Sequence, residues 1–119
     1  MKAGGKILVV DDNDDFRKLL REVLETKGYS ILEAVDGQEA IEVMAKEEVN
    51  LGIVDLDMPR MNGIEFSKKV KSERPNFPII MVTAYSQFYS AGDILASGVD
   101  AFLQKPVDLE RLMKAIQQL

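Results

Sequence analysis

Apolar and polar positions along this chain follow two alternating rhythms. Short, nearly unbroken apolar runs occur at Ile7–Val10, Leu51–Val54 and Ile79–Val82. Runs of four to eight such residues suit strands buried on both faces, as in a parallel sheet. Between them, apolar residues recur every three or four positions, the stripe of an amphipathic helix. Phe16, Leu19, Leu20, Val23 and Leu24 make the first stripe. Asn13 or Asp14 caps its start and Gly28 stops it. Tyr29 to Ala34 reads as a second strand. Asp36 to Glu39 has the spacing of a capping box, with Ala40, Ile41, Met44 and Ala45 on the inner face of a second helix.

Further along, Asn62 and Glu65 cap a third helix running to about Ser72, with Ile64, Phe66 and Val70 as its apolar residues. Pro75 and Pro78 bracket the loop into the Ile79 strand, which ends at Thr83. Residues 85 to 98 predict an aromatic-rich fourth helix, with Tyr85, Phe88 and Tyr89 ahead of a helix-weakening Gly92. Ala101 to Leu103 is a short fifth strand ending near Lys105-Pro106. From Asp108 a fifth helix carries Leu109, Leu112, Met113 and Ile116 inward. Five strand-helix units in alternation predict a doubly wound α/β domain, (βα)5, around one five-stranded parallel sheet. Residues 1–119 form one domain, with 1–5 as a lead-in. Strand order 2-1-3-4-5, the flavodoxin-like order, puts strands one and three at the topological switch point.

Composition narrows the chemistry. A net charge of -5 and 46% hydrophobic content suit a globular domain and argue against a basic nucleic-acid face. No apolar stretch approaches the roughly 18 residues of a membrane span. The run after Lys6 is too short for a secretory signal core, so a cytoplasmic protein is expected. The chain has no cysteine and no histidine. Thiolate chemistry is excluded, and the commonest general base and metal ligand are missing. Carboxylates, hydroxyls and lysine remain. The six methionines read as core filler.

These groups gather at strand ends. Strand one ends in Asp11 and Asp12, strand three in Asp55, strand four in Thr83, and Lys105 lies just beyond strand five. Strand three stops there because Pro59 cannot donate to a ladder and turns Met58 away from helical angles. Three carboxylates in one crevice repel one another unless a cation sits among them. With oxygen ligands alone, Mg²⁺ is expected. A cation, a lysine and a hydroxyl beside an acidic nucleophile suit phosphoryl transfer. Asp14 and Asp15 read as an ordinary solvated helix start, and Thr83 or Lys105 alone would read as a cap and a surface lysine.

Four separated motifs carry a resemblance to the receiver domain of two-component response regulators, the fold of the bacterial chemotaxis response regulator. They are Asp11-Asp12, Asp55 within Val-Asp-Leu-Asp-Met-Pro-Arg-Met-Asn-Gly, Thr83-Ala84 and Lys105-Pro106. The resemblance implies that Asp55 accepts a phosphoryl group from a histidine kinase or phosphotransfer protein. It implies that Asp12 binds Mg²⁺ directly, Asp11 through water and Asp57 through its backbone carbonyl, with Asp55 also among the metal-site residues. Lys105 would pair with phosphoryl oxygens, and its bond to Pro106 would be cis. Thr83 and Phe102 match the switch pair, and Asp57 and Tyr85 the positions that tune phosphate lifetime. Output would pass through helix four, strand five and helix five to a protein or domain, with homodimer formation on phosphorylation within the family's range. Nucleic acid and membrane are not expected as direct partners. Such a domain is a switch, catalysing only its own phosphorylation and dephosphorylation.

Three other readings compete. Ile53-Val54-Asp55-Leu56-Asp57 resembles the nucleophile motif of haloacid-dehalogenase-type phosphatases, but that family carries it on the first strand. A flavodoxin-like electron carrier would need a hydroxyl- and glycine-rich phosphate loop where this chain has a row of acids. A receiver-like interaction domain that is never phosphorylated would not need the full set of strand-end residues.

Overall fold

The computed structural model describes residues 1–84 and 89–119. Among these residues five strands alternate with five helices: β1 (Lys6–Val10), α1 (Asp14–Thr26), β2 (Ser30–Ala34), α2 (Gly37–Lys46), β3 (Leu51–Asp55), α3 (Gly63–Glu73), β4 (Ile79–Thr83), α4 (Ala91–Ala96), β5 (Ala101–Gln104) and α5 (Leu109–Gln118). All strand pairs are parallel. Their order is β2-β1-β3-β4-β5, as the alternation of patterns predicts. β3 and β4 are buried along their whole lengths, which explains why they read as runs without alternation.

The sheet divides the core in two. On one face Ile7, Val9, Ile53 and Ile80 meet Leu20 and Leu24 of α1 and Leu112 and Ile116 of α5. On the other, Leu8, Val10, Val54 and Met81 meet Ala40 and Met44 of α2, Phe66 and Val70 of α3, and Ile94 of α4. Helix starts follow local chemistry. Asn13, not Asp14, caps α1 by accepting from the Phe16 N–H. Asp36 caps α2 by accepting from Glu39, while the Glu39 carboxylate turns to the Val35 N–H and not to the cap's own. Asn62 and Glu65 close a full capping box on α3. After α1, Gly28 takes φ +93°, a conformation that side chains disfavour.

Several expectations shift. β3 includes Asp55 itself. Leu19 is 47% exposed, and Arg17 takes the inward place one turn before Leu20. Its guanidinium can be buried there because every face of it finds an oxygen. Ala45 is exposed, and Val43 is half-buried on the sheet side of α2. The fourth helix is short, six residues from Ala91, opened by a capping box between Ser90 and Asp93. Its aromatics do not lie within it: Tyr89 precedes it, and Tyr85 and Phe88 fall outside the described residues. Serine and aspartate compete for backbone N–H groups and set a start later than the apolar pattern suggests.

The two chain ends meet. The Met1 ammonium donates to the carbonyls of Ile116 (2.7 Å) and Gln117 (3.2 Å) at the end of α5. Cationic groups are favoured there by the helix dipole.

Candidate functional site

Parallel strands bring all their C-terminal ends to one edge, and the predicted site residues assemble on it. Carboxylate oxygens of Asp11, Asp12 and Asp55 lie within 4.8 Å of one another. Asp11 and Asp55 are buried, while Asp12 faces solvent. Asp11 is held by the Asn13 N–H at one oxygen (2.8 Å) and by Lys105 Nζ at the other (2.8 Å). The same ammonium lies 3.7 Å from Asp55 Oδ1 and 4.3 Å above the Phe16 ring. The Lys105–Pro106 bond is cis. Thr83 is buried at the end of β4, its carbonyl accepting from the Lys105 N–H (2.8 Å), with exposed Ala84 beside it.

Charge is unbalanced here. Burial, and after it the negative charge of Asp11, raise the pKa of Asp55 to about 7 against the opposing charge of Lys105. A cluster of three acids with one ammonium is therefore short of positive charge. Its donors are all oxygens, the set a hard divalent cation takes. On this edge a groove of about 520 Å³ opens between Asp12, Asp57, Met58, Pro59, Asn62 and Tyr89.

A family model described as the response regulator receiver domain matches residues 7–117. The chain belongs to the response regulator receiver family. This receiver domain is 33% identical to sporulation initiation phosphotransferase F of Bacillus subtilis, over 95% of the chain and 91% of the relative. Among solved structures, it superposes on a response regulator receiver protein from Pseudomonas putida with TM-score 0.91, 30% identity and full coverage of both chains. A Thermotoga maritima response regulator solved in complex with Mg²⁺ and BeF gives TM-score 0.86 and 31% identity, covering 99% of this chain and 98% of that one. Several curated relatives are longer, and the chain spans only 25–50% of their length.

Receiver domains bind Mg²⁺ at an acidic pocket, and the cluster at Asp11, Asp12 and Asp55 has the donors for it. Asp57 is exposed. Phe102 is half-buried and lines a separate groove of about 430 Å³ with Lys105, Asp108 and Arg111. Tyr85 lies outside the described residues.

Other residues of this receiver domain make contacts around the site that sequence reasoning did not assign to them. Arg17 donates to the Asp11 carbonyl (2.6 Å), to Glu33 (3.0 Å) and to Asp14, so Asp14 is a partner and not merely a solvated acid. The signal was available as a basic residue three positions after an acid, next to the apolar stripe. Gly63 opens α3 so closely under β3 that a Cβ would lie 2.5 Å from the Asp55 carbonyl oxygen. Asn62 donates to the Tyr89 hydroxyl (3.1 Å), joining the loops after β3 and β4. Buried Asp36 pairs with Arg60 of the β3–α3 loop. The Glu39 backbone N–H and then Arg60 hold its carboxyl below the usual carboxylate range. Among the described residues no helix is long and apolar enough to cross a membrane.

Proposed function

We propose that this receiver domain is a phosphorylation-dependent switch in which Asp55 accepts a phosphoryl group from a histidine kinase or phosphotransfer protein. The observation that supports it best is the position of Asp55: a buried acid at the end of a central strand, flanked by two acids and a lysine. An ionised Asp55 oxygen attacks phosphorus as the bond from phosphorus to the donor's imidazole nitrogen breaks. The product is an acyl phosphate and a free imidazole on the donor.

Asp12 and Asp55 would hold Mg²⁺ directly, Asp11 through water, with the Asp57 carbonyl as a further ligand. When bound, Mg²⁺ supplies the positive charge that keeps Asp55 ionised and neutralises the phosphoryl oxygens. Lys105, already at Asp11 and Asp55, turns its ammonium to a phosphoryl oxygen. The Thr83 hydroxyl donates to another. Its movement draws Phe102 inward and changes the surface of α4, β5 and α5, where an output protein, an output domain or a second copy would bind. Asp57 borders the groove beside the acids, and Asp57 and Tyr85 set the lifetime of the acyl phosphate. The chain turns over no other substrate in this reading, and the family points to the cytoplasm.

Incubation with Mg²⁺ and acetyl phosphate, followed by intact-mass measurement, tests the proposal. One phosphoryl group per chain is expected, with none on Asp55→Asn and none in EDTA. Equal labelling of Asp55→Asn would sink the assignment. Lys105→Ala should still label but lose the phosphorylation-induced shift of amide resonances on α4, β5 and α5.

A further inference from the structure

The β3–α3 loop is closed on itself and then tied outward at two points. Leu56 donates to the Val82 carbonyl (2.9 Å) and accepts from the Gly63 N–H (2.9 Å), pinning both ends of the segment. Inside it, the Met61 N–H donates to the Pro59 carbonyl (2.7 Å), a three-residue turn centred on Arg60. Arg60 takes φ +66°, and among the described residues it is the only non-glycine at positive φ. Such strain persists only where surrounding contacts impose it. The contact is made by Asp36, a buried carboxylate that accepts from Arg60 Nε (2.8 Å) and Nη2 while also capping α2. The second tie is Asn62 to Tyr89. The Arg60 side chain is itself 66% exposed, so the ion pair spans from solvent to a buried acid. Asp57 sits three residues before Arg60 and borders the same groove as Asp12.

We propose that Arg60 is a positioning residue for the divalent cation: its pair with Asp36 fixes the β3–α3 loop so that Asp57 stays at the acid cluster. This rests on the reading of that cluster as a Mg²⁺ site. Asp36 cannot be the test residue, because its loss would also uncap α2. Arg60 can be.

The measurement is a MgCl₂ titration at constant ionic strength, followed by the backbone amide shifts of Asp11, Asp12 and Asp55. Arg60→Ala should weaken binding by about 10-fold, the scale of losses when groups supporting a metal ligand are removed. Arg60→Gly, for which the positive φ is free, should weaken it as much, because the ion pair is gone. Arg60→Lys should recover part of the affinity. Some fall in the urea midpoint is expected because buried Asp36 loses a partner, but the metal-free variants should stay folded, with amide shifts away from the β3–α3 loop and the start of α2 unchanged. If Arg60→Ala and Arg60→Gly bind within twofold of the unaltered protein, the proposal falls while the Mg²⁺ reading stands. A weaker affinity that comes with metal-free amide shifts altered throughout the sheet marks a general structural role and overturns it too. If the unaltered protein shows no saturable shifts, the Mg²⁺ reading fails, and the proposal with it.

Discussion

Asp55 carries opposing demands. It must be ionised to attack phosphorus, yet burial and the charge of Asp11 raise its pKa to about 7 when no cation is present. An unfolded aspartate titrates near 3.8. Between these values the folded chain binds more protons than the unfolded one, so metal-free stability falls as pH rises. The contribution is fully present below about pH 3.8 and lost as pH passes 7. From pH 6 to 8 in EDTA, urea titrations should show a loss of about 1–2 kcal/mol. The chain has no histidine to obscure it. Asp55→Asn should remove that slope and leave the metal-free protein more stable at pH 8; an unchanged slope would disprove the cause. Gly63 is a second residue with a sharp expectation. A Cβ there would lie 2.5 Å from the Asp55 carbonyl oxygen, 2.7 Å from Met81 Sδ and 3.0 Å from Leu56 Cα. Backbone atoms cannot yield as side-chain tips do. Gly63→Ala should therefore cost about 2–3 kcal/mol in equilibrium unfolding.

At the scale of elements, pattern reading succeeded where burial was complete and faltered where polar groups decided. β3 and β4 were legible because both faces are covered. The carboxylates, Thr83 and Lys105 were legible because a parallel sheet leaves its strand ends on one edge. α1 was legible as a helix but not in its facing. Its stripe admits Leu19 on sequence alone, and burial of Arg17 depends on Glu33, an acid on another element. Leu19→Ser should accordingly change stability by no more than about 0.5 kcal/mol. Leu20→Ala should cost about 3 kcal/mol, as deletion from a packed core does. Similar losses in chemical denaturation would restore the original face of α1. α4 was the least legible element, since its start is fixed by a side-chain contact between Ser90 and Asp93. The clamp between Asp36 and Arg60 was invisible for the same reason: it joins residues 24 apart in the chain.

At the scale of the whole molecule, the site gathers residues from nearly the full length of the chain. Lys105 and Asp11 are 94 positions apart. Their juxtaposition depends on sheet order and not on where the polypeptide happens to start. The contact of Met1 with Ile116 and Gln117 makes this testable. A few glycines joining Leu119 to Met1 would close the polypeptide into a ring, which could be reopened between exposed Glu47 and Glu48. Exposed loops between elements tolerate such reconnection. The permuted protein loses the ammonium at the end of α5, a change of about 0.5–1 kcal/mol. It should keep its circular dichroism spectrum and its uptake of one phosphoryl group. A folded permutant that fails to label would show that the direction of threading matters to the site. Otherwise the molecule is, in effect, a loop of chain with an arbitrary seam, and its chemistry belongs to the weave.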